Sequence, residues 1–173
     1  GSAGFAQMGR TKAALLAALL RLHAADAVLF ADADVTFLRD PMPYLVAHLA
    51  LPTAAARRGE PTASGRAHIL FHTDDFGGPS LGGDLGDALE VPAKAWGAEM
   101  NTGCFAMTAA AAPVAGAWAA SLVSDDAFSN WKNDQQALNK ILRAGAKLPP
   151  KGSTASRLVD VLGGTLRLGL LPA

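Results

Sequence analysis

Residues 28–41, VLFADADVTFLRDP, set the frame in which the rest of the chain is read. Ala27, Val28, Leu29 and Phe30 form a short continuous apolar run, which suits a strand buried on both faces. Asp32 and Asp34 follow at once. In an extended chain, side chains at i and i+2 point the same way, so both carboxylates would project together from a strand end. Strand ends are where open α/β sheets bind ligands. Two neighbouring carboxylates repel each other and lose hydration when half-buried. A divalent cation relieves both costs, and an all-oxygen donor set favours Mg²⁺ or Mn²⁺, which commonly share their sites with phosphate oxygens. The plain alternative is a solvated turn or a helix cap: with 12 aspartates in 173 residues, an Asp-x-Asp arises by chance about once per chain. The strand before the pair and Arg39-Asp40-Pro41 after it lift it above chance.

Outward from this stretch, the pattern alternates helices with short apolar strands. Residues 10–25 carry Leu15, Leu16, Leu19, Leu20 and Leu22 at helical spacing among alanines, which predicts a helix. Residues 35–38 resume apolar character, and Pro41 and Pro43 interrupt regular structure. A short helix is expected over 44–51. Strands are expected at 68–72, 101–107 and 165–171. Pro113 suits the first turn of a helix running to about residue 123, with Val114, Trp118 and Leu122 on one face. Residues 134–143 form another helix, with Leu138, Ile141 and Leu142 as its buried stripe. Residues 52–66 read as a polar surface loop. Residues 77–97, rich in glycine, read as a long loop of the kind that often carries function. The expected architecture is α/β, with a mostly parallel sheet flanked by helices.

Composition narrows the field. Half the chain is apolar and 17% is charged, with 15 basic against 15 acidic residues. This argues against a chain disordered throughout and against nucleic-acid binding led by a basic excess. The single cysteine, Cys104, excludes an intrachain disulfide framework and a cysteine-built zinc site. No stretch approaches the roughly 20 apolar residues that a membrane helix needs. None of Asn101, Asn130, Asn133 and Asn139 stands in an N-x-Ser/Thr sequon. His23, His48, His68 and His72 show no ligand spacing and are assigned no metal.

Two enzyme classes use an Asp-x-Asp after a strand. Haloacid-dehalogenase-like phosphatases open on Asp-x-Asp-x-Thr, matched literally by residues 32–36, but a glycine-bearing turn normally follows and 35–40 has none. The other class is the metal-dependent glycosyltransferases, and here matches accumulate in order. Lys12, a Leu-rich helix and VLFADADVTFLRDP come first. Met100-Asn101-Thr102-Gly103-Cys104-Phe105 matches an Asn-Thr-Gly strand. A helix bearing Trp118 follows, then Asp134-Gln135-Gln136-Ala137-Leu138-Asn139. From about residue 5 to residue 171 the chain resembles the nucleotide-diphospho-sugar transferases of the GT-A fold, a Rossmann-like arrangement. The nearest likeness is to the plant and algal type that includes cell-wall arabinosyl- and xylosyltransferases, and a more distant one is to glycogenin-like enzymes. The resemblance implies a UDP-sugar donor, a glycan or glycoprotein acceptor, a Mn²⁺ or Mg²⁺ cofactor, retention of configuration and residence in the Golgi.

The resemblance also distributes roles. Asp32 and Asp34 would hold the metal. Lys12, Asp32, Asn101, Thr102 and Gly103 would line the donor site, and Asp134 and Gln135 would be catalytic. Asp134 lies four residues before Leu138, so its charge falls on the core-facing side of a helical first turn; a partner of the helix N-terminus is the other reading. Asn101 offers an amide that both donates and accepts to sugar hydroxyls, or else closes a turn. The other reading of Lys12, a solvated residue in the first helical turn, is the usual fate of a lysine. Asp74 and Asp75 end a strand, and either line the donor site or begin the loop; Trp96 and Trp131 stack on a sugar or belong to the core. Such enzymes place a nucleotide-binding segment before the metal pair and a further metal ligand, often a His, well after it. Residues 1–173 are therefore expected to be an internal part of a transferase domain, incomplete at both ends, with any membrane attachment through an anchor outside it. The alternatives are the phosphatase and a non-catalytic fragment.

Overall fold

The computed structural model describes residues 3–22, 25–52, 65–73, 90–92, 96–123, 133–146, 148, 154–156 and 158–171. Helix α1 (Ala3–Arg21) leads into strand β1 (Ala27–Ala31) and short helix α2 (Met42–His48). Then come β2 (Ile69–Thr73), β3 (Glu90–Pro92) and β4 (Met100–Thr108). A 3₁₀ turn (Ala109–Ala111) opens helix α3 (Ala112–Ser121), and α4 (Asp134–Arg143) follows. Strands β5 (Thr154–Ser156), β6 (Leu158–Val161) and β7 (Leu166–Leu170) end the described chain. None of the described helices is long and apolar enough to cross a membrane.

The main sheet has the order β1-β4-β2-β7-β6, and β3 pairs with β5 in a separate two-stranded sheet. Here the expectation of a mostly parallel sheet is corrected. Among the described strands of this sheet only β2 and β7 run parallel; β1 with β4, β2 with β4, and β6 with β7 are antiparallel. Alternation and apolar runs report burial, not strand direction, and a mixed sheet covered on both faces satisfies the same pattern. β1 is also an edge strand, half-buried rather than enclosed on both faces.

Two apolar layers sandwich the sheet. One face presents Ile69, Phe71, Phe105, Met107, Leu168 and Leu170 to α1, α3 and α4. The other presents Leu70 and Ala106 to Leu45 and Leu49 of α2 and its end. At the centre of the first layer the Phe105 ring stacks on Phe30 at 5.3 Å and on Phe71 at 4.9 Å, and meets Trp118 edge-on at 6.0 Å. Burying side chains of this size contributes about 1.5–3 kcal/mol each. The buried stripe of α1 is Ala13, Leu16, Ala17 and Leu20, so Leu15 and Leu22 of the expected stripe face outward. α1 also begins about two turns before the expected residue 10, which puts Lys12 in mid-helix rather than in a first turn. Residues 35–38 form neither helix nor strand, and Leu38 is 94% exposed. Of the loops read at 52–66 and 77–97, most lies outside the described residues, but β3 falls within the second.

Candidate active site

The site begins where the strand pairing of β4 changes. Residues 105–107 pair in register with Phe71, Leu70 and Ile69 of β2. The register then jumps, so that His72 faces Asn101. Residues 102–104 are left outside the β2 ladder, a bulge of the kind that re-aims side chains beside active sites. On the other side β1 pairs with β4 only as far as Ala31 and Cys104, with one further bond from Asp32 N–H to Gly103 O at 2.7 Å. Backbone groups left without a strand neighbour must be satisfied some other way.

Side chains named in the sequence reading do this. Lys12 Nζ donates to Thr102 O at 3.1 Å. Thr102 N–H donates to Gln135 Oε1 at 3.3 Å. Gly103 N–H donates to Asn101 Oδ1 at 2.5 Å. Gly103 also has a steric reason to be glycine: a Cβ there would lie 2.8 Å from Asn101 Oδ1 and 2.9 Å from Asp32 Oδ2. The missing side chain is what lets both polar groups close on the bulge.

Lys12 is the hub. Its ammonium lies 2.8 Å from Asp134 Oδ2 and 3.9 Å from Asp32 Oδ1, with the Phe30 ring centroid 5.0 Å away. It is mostly buried, and so is Asp134. Thr102 Oγ1 donates to the same Asp134 oxygen at 3.3 Å, so two donors converge on a carboxylate that has little contact with water. Asp134 in turn sits against α1 because residue 9 is glycine; a Cβ there would be 2.8 Å from Asp134 Cβ. Its backbone carbonyl accepts from Trp118 Nε1 at 2.8 Å, and Asn133 caps the helix by accepting from Gln136 N–H at 2.7 Å. The Cys104 thiol, next along β4, has its pKa raised, first by burial and then by the charge of Asp32.

Asp32 and Asp34 do not lie in an extended strand. β1 stops at Ala31, and residues 32–35 make a turn closed by Val35 N–H donating to Asp32 O at 3.0 Å. The parity argument that aligned the two carboxylates therefore fails, because side-chain alternation holds only for extended backbone. Both carboxylates are open to solvent: the Asp32 side chain is 46% exposed and Asp34, in the same turn, is exposed. Among the described residues no three His, Cys, Asp or Glu side chains group as a complete metal shell. Two open carboxylates suit a cation that keeps water or phosphate oxygens as its other ligands, as Mg²⁺ does, and do not suit an all-protein cage.

The structure thus brings Lys12, Asp32, Asn101, Thr102, Gly103, Asp134 and Gln135 into one connected cluster; Asp34 lies exposed in the same turn as Asp32. Gly9 and Glu99 are additions: Glu99 Oε2 accepts from Gln135 Nε2 at 3.0 Å. Neither carries a sequence signal of its own, since a glycine in a helix and an exposed glutamate are both ordinary. Asp74, Asp75 and Trp131 lie outside the described residues, and Trp96 is buried in the core.

An α/β domain whose sheet ends at a lysine held between two aspartates, beside an acidic turn, is the setting in which one family match acquires physical content. The chain belongs to the nucleotide-diphospho-sugar transferase family, whose model matches it over residues 1–173. That membership favours the sugar transferases over the phosphatases among the two Asp-x-Asp classes. No curated protein and no solved structure matches the chain significantly.

Proposed function

We propose that the protein transfers a sugar from a UDP-sugar to a hydroxyl of a glycan or glycoprotein, with retention of configuration, using Mn²⁺ or Mg²⁺ held by Asp32 and Asp34. The observation that carries this reading is the sign of the charge at the site. Asp32, Asp34 and Asp134 outnumber the one ammonium that touches two of them. A nucleotide diphosphate is itself an anion, and like charges at such a rim repel it. A divalent cation bound by the exposed carboxylates removes that repulsion, and when bound it supplies charge stabilisation for the leaving diphosphate.

The chain's own residues bind and orient. Asn101, at the end of the bulge, carries an amide whose chemistry suits sugar hydroxyls. Lys12 and Thr102 hold Asp134 at one oxygen, so the carboxylate meets the sugar in one fixed orientation. Gln135 is held by Thr102 N–H and Glu99, which fixes which end of its amide faces each partner. A pentose such as arabinose or xylose is the donor sugar favoured by the sequence likeness of residues 28–41, 100–105 and 134–139 to cell-wall transferases. Action in the Golgi lumen is part of the same proposal and rests on that likeness alone.

Titration calorimetry tests the core of this reading. UDP should bind in the presence of Mn²⁺ and not in its absence, and UDP-arabinopyranose or UDP-xylose should bind more tightly than UDP-glucose. Asp34→Ala should weaken Mn²⁺-dependent binding by at least about ten-fold, the loss of one charge-assisted ligand. Undiminished binding by that variant would remove Asp34 from the metal site.

A further inference from the structure

Helix α4 carries a polar stripe of which the functional reading uses only the first residue, Gln135. Gln135, Asn139 and Arg143 are spaced four apart and therefore share one face. Each reaches the backbone of the segment entering β4, in reverse order. Gln135 Oε1 accepts from Thr102 N–H. Asn139 Oδ1 accepts from Met100 N–H, and its Nδ2 donates to Met100 O, both at 2.9 Å. Arg143 Nη2 donates to Ala98 O at 2.6 Å and to Gly97 O at 3.2 Å. Four helical residues rise about 6.0 Å and two strand residues about 6.7 Å, so the two repeats run nearly in step over three rungs. Along residues 97–102 the helix thus stands in for the neighbouring strand that β1, ending at Ala31, does not provide.

We propose that Asn139 and Arg143 are positioning residues of the nucleotide-sugar site. They fix the height of residues 97–102 against α4, and so the place of Asn101, Thr102 and Gly103 against Asp134. This rests on the reading of the site given above. Asn139 is 4% exposed, and its second amide hydrogen is also engaged, donating to Gln135 O at 3.0 Å. Its amide is the one side chain of its size that offers a donor and an acceptor to both groups of one peptide residue. An aspartate in its place is isosteric but presents oxygen to the Met100 and Gln135 carbonyls. Arg143 sits at the exposed end of the stripe and spans two carbonyls with one planar group, which a lysine cannot reproduce in full.

The test uses Arg143→Ala, Arg143→Lys and Asn139→Asp in the full chain, with three readouts: UDP affinity with Mn²⁺, amide exchange at Met100 and Thr102, and the urea midpoint. Arg143→Ala should weaken UDP binding by roughly five- to ten-fold, the scale of one charge-assisted hydrogen bond, with Arg143→Lys recovering part of it. Asn139→Asp should speed exchange at Met100 by at least about ten-fold and weaken UDP further. If Asn139→Asp does not fold, the Arg143 pair decides alone. Unchanged UDP affinity in Arg143→Ala, with only a lower urea midpoint, overturns the proposal and leaves the ladder as scaffold. A wild-type chain that binds no UDP overturns the functional reading instead; exchange then judges the ladder, and unchanged exchange at Met100 and Thr102 in Arg143→Ala overturns that too.

Discussion

Lys12 and Asp134 form a charge pair taken largely out of water, and such pairs behave asymmetrically. Removing one partner leaves the other buried and uncompensated, whereas removing both charges leaves a shape that can pack. Lys12→Met is therefore expected to destabilise the fold by roughly 3–5 kcal/mol, and the double variant Lys12→Met/Asp134→Asn by clearly less. Urea unfolding of the two single variants and the double variant reads this directly; additive losses would show that the ammonium and carboxylate act independently. Gly103 makes a different kind of statement. The positions of the Asn101 amide and the Asp32 carboxylate both depend on the absence of its Cβ. Gly103→Ala should displace both, costing Mn²⁺-dependent UDP affinity at least about ten-fold while changing stability by no more than about 2 kcal/mol, because Asp32 is half-exposed and can swing into water. Calorimetry and a urea curve on one preparation separate the two effects.

At the scale of elements, α4 is the part of the fold most legible in the sequence and the part on which the site leans most. Its bounds of Asp134–Arg143 follow from an Asn before it, an acid in its first turn, bases in its last and Leu138 and Leu142 inside. Asn133→Ala should cost about 1 kcal/mol, with Asn133→Ser or Asn133→Asp restoring most of it, since any of these oxygens can take the Gln136 N–H. Thermal or urea unfolding of the three variants measures the order. Other elements were less legible for physical reasons. β6 is four residues with Asp160 exposed in the middle, too short for alternation to stand out from a loop. The β4 bulge leaves no mark in residues 100–108, because register belongs to a pair of strands and not to one of them. Asp32 and Asp34 announced themselves by type and context, yet their geometry depends on a turn at 32–35 whose sequence, Asp-Ala-Asp-Val, lacks the glycine or proline that usually flags one. Lys12 is the clearest case of partial legibility: its resemblance marks it as a donor-site residue, while its burial follows only from the early start of α1 and from the two carboxylates it meets.

For the whole molecule, the question is what holds the two halves of the sheet together, and the answer is concentrated at the parallel junction of β2 with β7. His68 stands at its start. Its N–H donates to Arg167 O at 2.8 Å, its carbonyl accepts from Thr108 N–H at 2.9 Å, and its ring Nδ1 accepts from Arg167 N–H at 3.0 Å. One residue thus ties β4, β2 and β7, and the last of these bonds requires an unprotonated Nδ1. The pKa of His68 is lowered from 6.5, first by burial and then by the Arg167 guanidinium, which Asp160 partners only loosely at 3.8 Å. The unfolded chain therefore takes up a proton at a pH where the folded chain does not. Stability from this residue is fully present above about pH 6.5 and is lost as the pH falls from there through the lowered folded value, because the unfolded state binds more protons across that window. Carboxylates elsewhere also lose their native pairing on acidification, so the contribution of His68 is isolated by difference. His68→Gln keeps an oxygen that can accept from Arg167 N–H but cannot titrate. Between about pH 7.5 and pH 5.5 the urea midpoint of wild type should fall further than that of His68→Gln, and the two curves should run parallel above pH 7. Equal slopes across the whole range would mean that the ring titrates alike in the folded and unfolded chain, and that the junction of β2 and β7 is held by its backbone bonds alone.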